Sequence, residues 1–176
     1  MIRQRDEVNV GRHILGVLVE NRTGALARIA GLFAGRGFNI ASLSVAETLD
    51  PSISRMTIVT EGDLATLEQV VKQLNRVIDV IKVLDYTQTD EPHLERELML
   101  LKVALRPEIL QVCETFRAKV VDLSHESCTI EVTGHRDKLE AIISLLKPIG
   151  IQEVVRTGKL AISRGPRTLD SASHGE

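Results

Sequence analysis

Segments with strand-like and helix-like hydrophobic patterns follow one another in the order strand, helix, strand, strand, helix, strand. This order occurs twice in the 176 residues, over 12–85 and again over 95–166. A polar, turn-rich linker at 86–94 separates the two sets. Each set is typical of the split βαβ arrangement, in which two helices cover one face of an antiparallel sheet. The sequence therefore predicts an α+β fold of two tandem ferredoxin-like βαββαβ domains.

The two ends of the chain lack such patterns. Residues 1–11 are polar and aperiodic, and residues 167–176 are mostly small and polar, so we expect a flexible arm and a disordered tail. In each domain the helices leave the second face of the sheet bare. An apolar sheet face of that size is unusual on a monomer, which predicts association into at least a dimer.

Composition excludes several classes of function. The formal net charge of −2 and an aromatic content of 2% with no Trp argue against nucleic acid as a partner. No apolar run approaches the roughly 20 residues that a membrane helix needs, so we expect no contact with a membrane. The first residues lack the apolar core of a signal peptide, which favours a cytoplasmic location.

Residue types that carry catalysis or bind metals do not converge in this sequence. None of the five His residues has a second His two to four positions away, which argues against a zinc site. Cys113 and Cys128 fall on predicted apolar faces and are interpreted as buried free thiols. His125 and Glu126 are interpreted as solvated turn residues. The sequence therefore predicts no catalytic residue and no metal ligand.

The polar turn between the first strand and the first helix, Glu20–Gly24, is the best candidate for a binding site. A helix that begins there directs unpaired backbone N–H groups and the positive end of its dipole at the turn, which favours an anion. Asn21 can both donate and accept hydrogen bonds, so an amino acid would use both properties. The same residues also suit a turn that serves only the fold, with Gly24 supplying the backbone conformation and Asn21 capping the helix. The two interpretations are compatible.

Helix boundaries follow from the apolar spacing and from glycine. The first helix is predicted to bury a stripe at spacing i, i+3, i+4, i+7 and to end where Gly35 or Gly37 adopts a left-handed conformation. The stripe consists of Leu26, Ile29, Ala30 and Phe33. Asp63 is predicted to be the N-cap of the second helix. Pro51 is expected in the turn of a hairpin between the two helices.

Six segments resemble the small, regulatory subunit of acetolactate synthase (acetohydroxyacid synthase). The resemblance covers about residues 12–166, and the segments occur in the right order, which makes it specific. They are 20–26, 36–43, 50–58, 95–103, 116–122 and 157–165. The resemblance implies an N-terminal ACT domain, a ferredoxin-like module that binds amino acids, at 12–85. A C-terminal domain of related topology then occupies 95–166.

This family resemblance also implies a function. The small subunit of the family has no catalytic activity; it activates the large subunit and makes it sensitive to feedback inhibition by valine in branched-chain amino-acid biosynthesis. Thiamine diphosphate, Mg and FAD are expected on the large subunit, and no cofactor is expected on this chain. The effector is expected between two ACT domains paired in a homodimer. By motif match its contacts are Asn21, Gly24, Ala25, Leu26, Asn39 and Ile40.

Two other functions stay open at this point. A free-standing ACT-type amino-acid sensor that regulates a different enzyme would have the same motifs in its first domain. An enzyme in its own right is poorly supported, because no catalytic constellation is present. The residues within the turn do not decide among valine, leucine and isoleucine as effector.

Overall fold

The computed structural model describes residues 11–89 and 92–169. Contacts divide the chain into two compact units. Among the described residues, the first unit contains those up to Leu94 together with those from Ala161 onward, and the second is Glu95–Leu160. Each unit has the βαββαβ order, so the predicted α+β class and the two ferredoxin-like repeats are confirmed.

Four strands and two helices form the main body of the first unit. They are β1 (Gly11–Glu20), α1 (Ala25–Gly35), β2 (Asn39–Glu47), β3 (Ile53–Gly62), α2 (Leu64–Leu74) and β4 (Val80–Asp85). The sheet is antiparallel, in the order β2-β3-β1-β4. The strand β2 therefore lies at one edge, with its outer backbone groups unpaired within this sheet. The turn between β2 and β3 contains Pro51, as predicted.

Both helices pack on one face of this sheet. Alternate residues of β1 and β3 point toward the helices, because successive strand side chains point to opposite faces. The buried residues of this core are Leu15, Val17, Val19, Ile29, Phe33, Met56, Ile58, Leu67, Val70 and Leu74. The two helix N-termini, and hence the β1–α1 turn, are fixed relative to the sheet by this shared core.

The predicted buried stripe of α1 was partly wrong. Ile29 and Phe33 are buried, but Leu26 is 41% exposed and Ala30 is also exposed. Ala25 takes the inward position instead. The buried residues Ala25, Ile29 and Phe33 lie four positions apart, which is also a helical spacing, and the small Ala25 gives this stripe the weaker hydrophobic signal. Leu26 is thereby free to line a surface pocket.

The end of α1 follows the prediction, with Gly37 in the left-handed conformation at φ 71°. The amide of Phe38 donates to the carbonyl oxygen of Phe33 at 2.9 Å, and that of Gly37 donates to Ala34 at 3.2 Å. This is the Schellman pattern. The rings of Phe33 and Phe38 meet edge to face, 6.4 Å between centroids. The next strand, β2, therefore starts from a fixed point.

The start of α2 is capped as predicted. The Asp63 side chain accepts a hydrogen bond from the Thr66 amide at 2.7 Å. Hydrogen bonds from Thr66 lower the pKa of the Asp63 carboxyl group, because they favour its charged form.

The second face of the first sheet is covered by residues 161–169, which we call the returning segment. Leu169 is 1% exposed and Ala161 is 5% exposed, and Ala161 packs with Ile14 and Tyr86. Gly16 makes this close packing possible, because a Cβ atom there would lie 2.8 Å from Tyr86 Cε2 and 3.0 Å from Leu169 Cδ2. In the first unit, part of the bare face that was the argument for association is thus covered within the chain.

This packing differs from the predicted boundaries. The structure groups residues 161–166 with the first unit, whereas the prediction placed them in the second domain. The predicted disordered tail began at residue 167, but Leu169 is buried; residues 170–176 lie outside the described residues. The predicted arm at 1–11 also lies outside them, except for Gly11, which opens β1. Of the predicted linker, Tyr86 is buried and His93 begins the next strand.

The second unit repeats the arrangement. Its elements are β5 (His93–Ala104, shared with the first unit at its start), α3 (Glu108–Phe116), β6 (Lys119–Leu123), β7 (Ser127–Gly134), α4 (Arg136–Leu146) and β8 (Ile151–Arg156). The strand order is β6-β7-β5-β8, and a short strand β9 (Leu160–Ser163) pairs with β5. Cys113 and Cys128 are buried free thiols in this core, as predicted. No helix among the described residues is long and apolar enough to cross a membrane.

Candidate functional site

The β1–α1 turn has the backbone geometry of an anion site. Gly24 precedes α1 with φ 87° and ψ −4°, a left-handed conformation that favours glycine. The Arg28 amide donates to the Gly24 carbonyl oxygen at 2.9 Å and starts the helical hydrogen bonds. The amides of Leu26 and Ala27 belong to the first turn, whose N–H groups have no partner within the helix. No side chain caps this helix end.

Asn21 ties this turn to the β2–β3 turn. Its backbone amide donates to the Ser52 carbonyl oxygen at 2.7 Å. Its side-chain Nδ2 donates to the Pro51 carbonyl oxygen at 2.9 Å and to Glu47 Oε1 at 3.0 Å. The sequence-based suggestion that Asn21 caps α1 was therefore wrong. Asn21 instead joins two loops and holds the end of β2 against the start of α1.

A surface pocket of about 290 Å³ lies at this corner of the first unit. Its apolar side is formed by Val19, Ala25, Leu26, Val45, Ala46 and Met56. Its polar side is formed by Glu20, Asn21, Arg22, Glu47 and Ser54. A small apolar surface beside a few convergent polar groups is the usual composition of a small-molecule site. Three predicted contacts, Asn21, Ala25 and Leu26, line the pocket, and Gly24 lies in the same turn.

Asn39 and Ile40 lie elsewhere in the same chain. Asn39 pairs with Glu61 at one end of β3, whereas the β1–α1 turn lies beside Ile53 at the other end. The eight residue steps from Ile53 to Glu61 span about 26 Å at roughly 3.3 Å per residue. Asn39 is exposed, and its carbonyl oxygen accepts a hydrogen bond from Thr60 Oγ1 at 2.8 Å. One chain therefore does not bring all six predicted contacts together.

An ion pair between Arg28 and Asp79 braces the turn. Arg28 Nε lies 2.5 Å from Asp79 Oδ2, and the Asp79 side chain is only 4% exposed. The carbonyl oxygen of Asp79 also accepts the Glu20 amide at 2.8 Å. The hydrogen bond between the two side chains lowers the pKa of Asp79 and raises that of Arg28. Asp79 thereby fixes both the end of β1 and the first turns of α1.

Sequence reasoning missed Glu47, Arg28 and Asp79. Glu47 and Asp79 lie 26 and 58 positions after Asn21, and only the strand pairing brings them to the turn. The local sequence does not indicate that Glu47 belongs to the site. The turn residues that follow Glu47 indicate only the end of a strand. Arg28 is the single charged residue of α1, and the periodicity assigns it simply to solvent.

The equivalent corner of the second unit has a different character. A pocket of about 560 Å³ lies between the start of α3 and the end of β6. It is lined by Leu105, Arg106, Pro107, Ile109, Leu110, Val120, Leu123 and Cys128. Pro107 occupies the N-cap position and has no N–H group to offer. Arg106 is the one polar residue in this lining, so the polar side chains found at the corner of the first unit have no counterpart here.

Groups that might carry chemistry do not form a cluster. Within residues 11–89 and 92–169, no three His, Cys, Asp or Glu side chains are placed to hold a metal ion. His13 Nε2 lies 3.0 Å from the Gly62 carbonyl oxygen, and His135 Nε2 lies 2.9 Å from Arg96 Nη1. Burial raises the pKa of the Cys113 and Cys128 thiols, which keeps them protonated.

Two protein families match this sequence. Residues 15–82 match the family described as "AHAS small subunit-like ACT domain". Residues 96–165 match the family described as "Small subunit of acetolactate synthase".

Individual relatives are similar over most of the chain. The acetolactate synthase small subunit of Aquifex aeolicus is 54% identical over 169 residues, covering 92% of this chain and 87% of that protein. The acetolactate synthase small subunit of Mycolicibacterium smegmatis is 48% identical over 164 residues, covering 91% of this chain and 95% of that protein. The crystal structure of the small subunit from Thermotoga maritima superimposes with a TM-score of 0.82 at 41% identity, covering 89% of this chain and 99% of that one.

Proposed function

Because this chain belongs to the acetolactate synthase small-subunit family, we propose that it activates the catalytic large subunit and confers feedback inhibition by valine. The family supports a regulatory chain with the large subunit as its partner. Thiamine diphosphate, Mg and FAD are expected on that large subunit, in the cytoplasm, and none of them on this chain. The pathway served would be branched-chain amino-acid biosynthesis.

The observation that carries this proposal is the polar and apolar pocket at the β1–α1 turn. Its size suits an aliphatic amino acid, and the α1 amides would bind the effector carboxylate. Charge-assisted hydrogen bonds contribute roughly 1.5 to 3 kcal/mol each, and burial of a Val-sized side chain roughly 1.5 to 3 kcal/mol. After the cost of association, micromolar binding is expected.

The position of Asn39 supports a site shared by two chains. Asn39 and Asn21 lie too far apart in one chain for an amino acid to contact both. Strand β2 is an edge strand, and antiparallel pairing of two β2 strands about a twofold axis at Leu43 would place Asn39 of one chain beside Glu47 of the other. Glu47 is hydrogen-bonded to Asn21. A homodimer through the ACT domains would thus complete the site.

Inhibition requires that valine favour one state of the assembly. An effector with equal affinity for the activating and the non-activating arrangement changes neither population. A site formed by two chains meets this requirement, because the fit of the effector depends on how those chains are arranged.

The test is acetolactate formation by the cognate large subunit, with and without this chain, over a valine titration. The proposal predicts activation by the chain and its reversal by valine. Failure to activate would contradict it. Valine binding by the isolated chain without any effect on that enzyme would instead indicate a free-standing amino-acid sensor that regulates another partner.

A further inference from the structure

Two carboxylates line the pocket of the first unit, and they differ in their partners. Glu20 Oε2 lies 3.0 Å from Arg22 Nε, so an adjacent guanidinium balances its charge. Glu47 Oε1 accepts a hydrogen bond from the neutral Asn21 amide at 3.0 Å. Among the residues that the structure describes, no Lys, Arg or His forms an ion pair with Glu47. Glu47 therefore brings a negative charge to the pocket that no described cation balances.

The contacts of Asn21 fix which of its atoms is available to a ligand. Both hydrogens of its side-chain amide are used, one by Glu47 and one by the Pro51 carbonyl oxygen. These two acceptors determine the orientation of the amide group. Its Oδ1 atom is left as an acceptor. Asn21 and Glu47 thus both offer oxygen atoms, which suit a cation and repel a carboxylate.

The opposite polarity is found at the start of α1. There the first-turn amides and the positive end of the helix dipole favour negative charge. The left-handed Gly24 gives a ligand close access to these amides. The pocket therefore has hydrogen-bond donors at the start of α1 and acceptors at the end of β2.

We propose that Glu47 is the specificity-determining residue that binds the α-ammonium group of the effector, together with Asn21 Oδ1. This inference rests on the proposed function and adds the chemical class that the site accepts. The site selects a zwitterionic α-amino acid and rejects the 2-oxo acid with the same side chain. The oxo acid has the carboxylate and the apolar group, but it would leave the Glu47 carboxylate unpaired beside a second negative charge.

Calorimetry on the full-length chain tests this assignment, with valine and 3-methyl-2-oxobutanoate as the two probes. We expect the wild type to bind valine and to bind the oxo acid at least tenfold more weakly. Glu47→Gln keeps an oxygen that can accept from Asn21 but removes the charge. This variant should bind valine at least tenfold more weakly and should discriminate less between the two probes.

A matched control removes a carboxylate elsewhere in the first unit. Glu68 lies on α2, exposed and paired with Lys72 at 3.4 Å, and Glu68→Gln should leave valine affinity within twofold of the wild type. Thermal unfolding of each variant checks that it is folded. The conservative variant Glu47→Asp retains the charge and should recover part of the lost affinity.

The outcomes separate this inference from the proposed function. Valine affinity in Glu47→Gln within twofold of the wild type would overturn the role of Glu47 and leave the valine site standing. A wild-type chain that binds none of valine, leucine and isoleucine would overturn the proposed function, and the role of Glu47 with it. A tenfold loss of valine affinity in Glu47→Gln but not in Glu68→Gln, together with weaker discrimination against the oxo acid, supports both the role of Glu47 and the proposed function.

Discussion

At the scale of single residues, Gly24 is the most sensitive position of the candidate site. An Asp at this position would adopt a left-handed backbone at a cost of roughly 1 to 2 kcal/mol. Its carboxylate would also lie beside Arg28, since a Cβ atom at Gly24 would be 3.3 Å from Arg28 Nη1. The added carboxylate would also place a negative charge at the start of α1, where it would repel an effector carboxylate. We expect Gly24→Asp to abolish valine inhibition while activation persists.

The control for this variant is Gly165→Asp. Gly165 has φ 74° and open space around its Cα, so the backbone strain is matched and the pocket is untouched. Acetolactate formation over a valine titration checks both variants. If valine still inhibits the enzyme with the Gly24→Asp variant, the effector does not bind at this turn.

A second residue-scale prediction concerns the charge cluster of the second unit. Arg156 donates to both oxygens of Glu97, at 2.7 and 2.9 Å, and to Glu140 Oε1 at 2.7 Å. These carboxylates hold the pKa of Arg156 above its usual range. Glu97 is 6% exposed, whereas the Glu140 side chain is 46% exposed. The pair with Glu97 should therefore contribute far more to stability.

We expect Glu97→Gln to lower the free energy of unfolding by roughly 1.5 to 3 kcal/mol, as for a hydrogen bond to a charged group. Glu140→Gln should cost less than about 1 kcal/mol, because exposed ion pairs contribute little. Urea unfolding of the two variants measures the difference. Equal losses of unfolding free energy in the two variants would show that burial does not determine how much each ion pair contributes to stability.

At the scale of secondary-structure elements, the returning segment makes Gly16 a structural requirement. A methyl group there would overlap Tyr86 and Leu169, and overpacking of this kind costs about 1 to 3 kcal/mol. Gly16→Ala should therefore destabilise the first unit and loosen Tyr86. Gly31→Ala is the matched control; it points into open space on α1 and should stabilise by up to about 1 kcal/mol.

Tyrosine fluorescence provides the measurement, because Tyr86 is the single Tyr and the chain has no Trp. Tyr86 is buried, and its hydroxyl group accepts a hydrogen bond from Arg55 Nη2 at 2.9 Å. Increased quenching by acrylamide in Gly16→Ala, and unchanged quenching in Gly31→Ala, is the expected result. Unchanged quenching in both variants would contradict the packing of the returning segment.

The element order could be predicted because each helix and most strands carry their own periodic pattern. The strand β9 could not be predicted in this way. Its four residues, which end at Ser163, form too short a pattern, and its partner β5 begins 67 positions earlier in the sequence. Asp63 and Gly37 were predictable because caps depend on local backbone chemistry. The rotation of α1 that exposes Leu26 depends on packing against the sheet, which periodicity alone does not specify.

The candidate site was predictable only in its local part. Asn21 and Gly24 belong to one turn and can be read from a few residues. Glu47, Arg28 and Asp79 take part through strand pairing and an ion pair, which no local pattern indicates. The role of Asn39 depends on a second chain, so it stays a prediction.

At the scale of the whole molecule, the proposed site shared by two chains would link valine binding to dimerisation. A ligand that binds only the dimer must shift the equilibrium toward it. Sedimentation velocity at dilutions that dissociate the chain should therefore show more dimer when valine is present. Gly24→Asp should show no such shift. Valine binding with full affinity by a chain held monomeric would contradict the shared site.

The returning segment also has a consequence for synthesis on the ribosome. Domains usually fold in order as they emerge from the ribosome. The face around Gly16 and Tyr86, however, can be covered only after Ala161 and Leu169 have been synthesised. The second unit must emerge before the first is complete. A nascent chain that stalls between the two units would therefore expose the apolar face that Ala161 and Leu169 cover in the folded chain.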